Sequence, residues 1–179
     1  MKVFLDTNVI IDFYAQRESF FRPAAIIVDL AMRGNIELCV SSLSFVNAFY
    51  VLRKTYQVEE LYDKLSRFSE LCTITSIGDT DIRYSLNNRS SDFEDTVQYI
   101  SAKSIQPDVI VTRNIRHFKG IDMMIQTPTE FLDDYFNYNI GSKTQVFLPF
   151  SLSFRFLFVI LRLNNTLRSY DSEPRYLTL

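Results

Sequence analysis

The chain has 179 residues, of which 47% are apolar, and a formal net charge of −2. That is enough for one domain with a substantial core, or one domain and a tail, and the composition excludes a disordered chain. Near-neutral charge gives no global case for a nucleic-acid partner and leaves a local basic patch open.

The first thirteen residues, MKVFLDTNVIIDF, carry three consecutive apolar residues, Val3 to Leu5, into Asp6. A short, wholly apolar run ending in polar residues reads as a strand buried on both faces, as in a parallel sheet. Asp6 then stands at its carboxyl end, where open α/β sheets bind ligands. Asn8 is placed to cap a short helix over Val9 to Tyr14, and Ser19 a longer one from Phe20 to Met32 that stops at Gly34. Ile36 to Val40 reads as a second strand, followed by a helix starting at Ser44 and another from Val58 to Glu70. Leu71 to Ile77 is the third strand. A helix capped by Asp79 or Thr80 runs through Leu86, and Asn87 to Ser91 is a polar loop.

Asp92 to Ile105 has a strong helical pattern, with Phe93, Val97, Ile100 and Ala102 as expected inward residues. Val109 to Val111 is the fourth strand, exiting into Thr112, Arg113 and Asn114. Met124 to Gln126 gives a fifth, and Pro128 heads a last helix over Thr129 to Tyr135. Strands alternating with helices imply right-handed βαβ units. The expected fold is a three-layer α/β/α sandwich on a mainly parallel sheet of about five strands. The organisation expected is a domain over 1–136 and a phenylalanine-rich extension over 137–179. Its apolar run, Val146 to Leu161, is broken by Pro149, carries Arg155, and is shorter than the roughly 20 residues of a membrane span. No basic stretch followed by an apolar one opens the sequence, so no export signal is expected. Cys39 and Cys72, each inside a predicted strand, read as reduced core thiols of a cytoplasmic protein.

The chemistry turns on which acids reach the sheet edge that Asp6 occupies. Asp92, Glu94 and Asp95 open one helix, and Asp92 and Asp95 share a face of it. Asn114 follows strand four as Asp6 follows strand one, so neighbouring strands would make neighbouring exits. Carboxylates meeting an amide form an all-oxygen site suited to magnesium or manganese, and such an ion can assist phosphodiester hydrolysis. Capping competes for these residues. Ser91 and Glu94 have capping-box spacing, Asp92 can be an N-cap, and Asp6 can cap its loop. His117, the single histidine, reads as a surface residue.

Four segments in order, FLDTNVIID, SLSFVNAFYVLRK, DFEDTVQYISA and DVIVTRNIRHF, resemble the PIN-domain nucleases, in particular the bacterial group that includes toxins of type II toxin-antitoxin pairs. The resemblance covers about Met1 to Tyr135. It implies a PIN fold and magnesium-dependent RNA cleavage. Asp6 matches the family's first acid, Asp95 the acid of the later helix, and Thr112 with Asn114 the Thr-x-Asn stretch. Asn47 stands where the family usually has glutamate and His117 where many members have aspartate. An amide coordinates without charge, so weaker metal binding is expected.

The resulting expectation is a Mg2+- or Mn2+-dependent endoribonuclease with Asp6 and Asp95 as metal ligands and Asn114, Glu94 and Asn47 completing the catalytic set. Asn8, Thr112, Arg113, Arg116 and Lys119 are assigned to substrate contact. The partners expected are an RNA substrate, an antitoxin protein and, as an option, a second copy of the chain, without a membrane. Two rivals stand beside it. One is a PIN-like module that binds RNA or a protein without cutting. The other is a phosphatase-like hydrolase, which Asp6-Thr7-Asn8 fits poorly because the second aspartate two residues on is missing.

Overall fold

In the computed structural model the apolar run that opens the chain becomes the middle strand of the sheet. The structure describes residues 1–89, 92–118 and 122–141, except for the side chains of 117, 118 and 139–141. Ser91, Lys119, the His117 side chain and the phenylalanine-rich run therefore lie outside the described residues. What is described falls within one compact unit bounded at Gln145.

Five strands, all parallel, are β1 (Lys2–Leu5), β2 (Glu37–Ser41), β3 (Cys72–Thr75), β4 (Val109–Val111) and β5 (Ile125–Gln126), in the order β3-β2-β1-β4-β5. Val3, Phe4 and Leu5 are at most 1% exposed, as two-sided burial of a central parallel strand requires. Register pairs Phe4 with Cys39 and with Ile110, and these three side chains pack on Ala102. Strand alternation sends Val3 and Leu5 to the other face.

Seven α-helices are described: α1 (Thr7–Tyr14), α2 (Glu18–Met32), α3 (Ser42–Leu52), α4 (Val58–Ser69), α5 (Asp79–Asn88), α6 (Phe93–Lys103) and α7 (Pro128–Gly141). Helix α1 packs on α2 and α3, α2 on α7, and α3 on α4, while α5 packs on α6 and α6 on β2. The result is the expected three-layer α/β/α arrangement. No helix among the described residues is long and apolar enough to cross a membrane.

Several expected boundaries shift. Asn8 is not the cap of α1, which begins at Thr7 with Asp6 as its N-cap residue. Ser19 lies inside α2, whose N-cap is Arg17, and Ser44 lies inside α3, which Ser41 caps by accepting from the Leu43 N–H at 3.1 Å. Gly78, not Asp79 or Thr80, is the N-cap of α5, and Asp81 accepts from its N–H at 2.8 Å. Asn87 and Asn88 belong to α5 and not to a loop. On α6, Val97 and Ala102 are buried as expected, but Phe93 is 44% exposed because it occupies the first turn. Cys39 and Cys72 are free thiols, the first buried.

Candidate active site

The strand order reverses direction at β1: β2 and β3 lie on one side, β4 and β5 on the other. The crevice beyond the carboxyl ends of β1 and β4 is thus the topological switch point, where such sheets bind ligands. Asp6 leaves β1 there, its N–H donating to the Val111 carbonyl at 3.0 Å. Its carboxylate makes no cap bond to α1. Instead the Thr112 hydroxyl, just past β4, donates to Asp6 Oδ2 at 2.6 Å, and the Asn8 amide donates to the same oxygen. Asn8 also donates to Thr112 Oγ1 at 3.1 Å and accepts the Arg113 N–H at 3.2 Å. The Asn114 N–H closes the turn on Thr112 Oγ1 at 2.9 Å. Two strand exits far apart in sequence are thereby bonded into one unit.

A second chain of hydrogen bonds joins α1, α3 and α6. Thr7 donates to Ser44 Oγ at 2.9 Å, and Ser44 donates to Gln98 Oε1 at 3.0 Å. Gln98 in turn donates to Glu94 Oε1 at 3.2 Å, and Asn47 donates to the same oxygen at 2.6 Å. Thr7, Ser44 and Gln98 are all buried, so this polar row is satisfied internally. Asp92 is the N-cap of α6, accepting the Asp95 N–H at 3.1 Å, which fixes the turn carrying Glu94 and Asp95.

The cleft between these groups, about 340 Å³, is lined by Asp6, Asn8, Asn47, Glu94, Asp95 and Asn114 among others. Five of the expected catalytic residues therefore line one cleft: Asp6, Asp95, Asn114, Glu94 and Asn47. Thr112 is fully buried behind Asp6. Arg113 does not line the cleft; its Nε lies 2.8 Å from Asp12 Oδ2 and its guanidinium 4.5 Å from the Phe20 ring centre. Arg116 is exposed on the 3-10 turn Ile115–Phe118. Sequence reasoning missed Asp12, Ser44 and Gln98. An aspartate inside the apolar run Val9 to Phe13 was a signal for the first; nothing marked the other two.

Burial dominates the electrostatics. It raises the Asp6 carboxyl from 3.8 to about 6, with the nearby Asp95 and Glu94 charges pushing the same way and hydrogen bonds from Thr112 and Gln98 opposing. Charge repulsion around a buried carboxylate is what a bound cation relieves. Among the described residues no three His, Cys, Asp or Glu side chains converge as a ready-made metal cage. The donors are instead carboxylates and amides spread around a cleft, all oxygen. That set fits an ion of the magnesium or manganese kind, which keeps several waters and takes one or two carboxylates.

A family model described as PIN domain matches residues 2–116. Ribonuclease VapC1 of Aquifex aeolicus is 26% identical over 74% of this chain and 94% of its own length. Among solved structures, VapBC2 from Rickettsia felis bound to a promoter DNA fragment superposes with a TM-score of 0.52 at 20% identity, covering 71% of this chain and 98% of that one. A toxin-antitoxin complex from Klebsiella pneumoniae gives a TM-score of 0.52 at 22% identity, covering 70% and 97%. These structural likenesses concern the fold.

Proposed function

Because the chain belongs to the PIN-domain family, whose model spans residues 2–116, we propose that it is an endoribonuclease that hydrolyses RNA phosphodiester bonds with Mg2+ or Mn2+, the toxin of a toxin-antitoxin pair. The likeness to Ribonuclease VapC1 supports the activity, and the toxin-antitoxin complex from Klebsiella pneumoniae supports an antitoxin partner. Residues 1–136 form the catalytic domain in this reading and 137–179 an appended segment. The observation that carries it is the meeting of Asp6 and Asp95, 89 positions apart, in one cleft at the switch point of the sheet.

Asp6 and Asp95 hold the cation, with Glu94, Asn47 and Asn114 as further oxygen donors or as anchors for its waters. When bound, the cation supplies Lewis acidity toward a phosphoryl oxygen and a water of lowered pKa. Thr112 and Asn8 fix the carboxylate of Asp6 by binding Oδ2. Asn47 and Gln98 do the same for Glu94 through Oε1. Substituting Asp6→Asn abolishes metal-dependent cleavage of RNA while circular dichroism and the melting transition persist. Unchanged cleavage by that variant removes the enzyme reading.

One observation favours a second reading. With Asn47 at the position of a family glutamate and no three-acid cage among the described residues, the domain would bind RNA or a protein partner without cutting it. Calorimetry with magnesium and manganese separates the two, since heat of binding at millimolar metal is expected only of the nuclease.

A further inference from the structure

The floor of the cleft is acidic, yet one wall is aromatic and apolar. Asn47, Tyr50 and Val51 stand three and four positions apart on α3, so they share one face of the helix, and all three line the cleft together with Ile11. Tyr50 is 58% exposed, although it belongs to a cavity wall. One face of its ring is covered by the guanidinium of Arg53, 4.1 Å from the ring centre. Arg53 and Lys54 are themselves exposed, adding positive charge beside an otherwise acidic site.

We propose that Tyr50 is the stacking platform for one unpaired base next to the phosphate being cut. This rests on the ribonuclease reading for the cut itself, but not for the stacking. An aromatic face accepts any base, and the exposed guanidinium of Arg53 over one face of the ring adds a charge complementary to a phosphate backbone. A base can reach the ring only when it is splayed out of a helix, since A-form duplex keeps its bases stacked and paired. The cleft, about 340 Å³, holds Tyr50 in the same lining as Asp6, Glu94 and Asp95, which is room for a nucleotide-sized group beside the acids. Tyr50 is thus a specificity residue: it positions the nucleotide, and the acids act on the neighbouring phosphate.

The chain contains no tryptophan, so Tyr50→Trp installs a single reporter at the platform. Titrating that full-length variant with a short single-stranded RNA in millimolar magnesium is expected to quench its fluorescence, while the blunt duplex of the same sequence leaves it unchanged. In parallel, Tyr50→Ala weakens single-stranded RNA binding and lowers kcat/KM by about tenfold or more, the usual loss when a stacked base loses its partner. Tyr50→Phe retains both. Tyr84→Ala, which removes a tyrosine of α5 that is 53% exposed and outside the cleft, behaves as wild type. Absence of quenching, or equal quenching by duplex, overturns the platform. So does wild-type binding by Tyr50→Ala. If the wild type cuts RNA in those same preparations, only the platform falls. If quenching and the Tyr50→Ala binding loss appear while no variant cuts RNA, the nuclease reading falls and the platform stands.

Discussion

At the scale of the single residue, Asp6 sets function against stability. Burial is the largest influence on its carboxyl and holds the pKa near 6, above the ordinary 3.8. A folded pKa above the unfolded one means that folding takes up a proton. The contribution to stability is therefore complete below about pH 4 and is lost as pH rises through 6. Metal-free Asp6→Asn should accordingly be more stable than wild type at pH 7.5, by on the order of 3 kcal/mol, and the advantage should vanish at pH 4. A lower melting point at pH 7.5 would show that the charged hydrogen bonds outweigh desolvation. In the proposed nuclease the same ionisation would govern cation binding, because the proton must leave first. At subsaturating metal, RNA cleavage should fall about tenfold per pH unit below 6. Asn47 offers the converse experiment. Its amide donates to Glu94 at 2.6 Å, so Asn47→Glu replaces an attraction by a like-charge contact. The metal-free protein should lose about 1 kcal/mol, and magnesium should bind roughly tenfold more tightly, both readable by calorimetry.

At the scale of the element, α1 is tied to the exit of β4 through one buried acid. Asp12 is 0% exposed and carries two cations, Arg17 at 3.3 Å and Arg113 at 2.8 Å. Burial still raises its pKa despite both arginines. Arg113 follows Thr112 directly, so this pair anchors the turn that orients Asp6. Removing one partner of a buried pair strands the other; with Arg113 partly solvated, Asp12→Ala should cost about 2 kcal/mol. Arg17, 42% exposed at its side chain, should cost well under about 1 kcal/mol when changed to Ala. Amide hydrogen exchange at Arg113 and Asn114 should quicken in Asp12→Ala only; equal exchange in the two variants would break the link between α1 and the site. Element types were legible in the sequence because apolar runs of three to five residues alternate with helical periods. Caps were less so. Asn8, Ser19 and Ser44 have the chemistry of caps, but at two βα junctions the chain turns from strand to helix with no loop, so Asp6 and Ser41, the residues leaving the strand, take that place. Strand β3 was overread in length: of the run Leu71 to Ile77 only Cys72–Thr75 is strand, and at the sheet edge, paired with β2 alone, it leaves Ile74 46% exposed.

At the scale of the whole molecule, the acids at positions 6 and 95 meet because the chain returns to pair β4 beside β1, with Leu5 opposite Val111. That pairing stood in the sequence only as a condition, because strand two also ends in polar residues, Ser41 and Ser42, and a polar exit does not say which strands are neighbours. The hydrogen-bonded row through Ser44 and Gln98 was not legible there, since it depends on how α3 and α6 approach each other and no spacing within either segment records it. The same architecture concentrates like charge: Asp6, Glu94 and Asp95 share a cleft in a chain of nearly neutral net charge. Global charge thus conceals a local deficit of cations, and the fold should be linked to whatever fills it. A ligand that binds only the native state stabilises by RT ln(1 + [L]/Kd), so a magnesium Kd near 1 mM would give about 1.4 kcal/mol at roughly 10 mM metal. In thermal melts of the full chain, 10 mM magnesium or manganese should therefore raise the midpoint by a few degrees over chelator, about as much as that free energy implies for a domain of this size. Asp6→Asn should lose most of the increment if Asp6 is the ligand proposed above, although its metal-free form starts higher. If neither ion moves the midpoint of the wild type, the cleft holds its charges apart without a cation, and the domain acts by binding and not by hydrolysis.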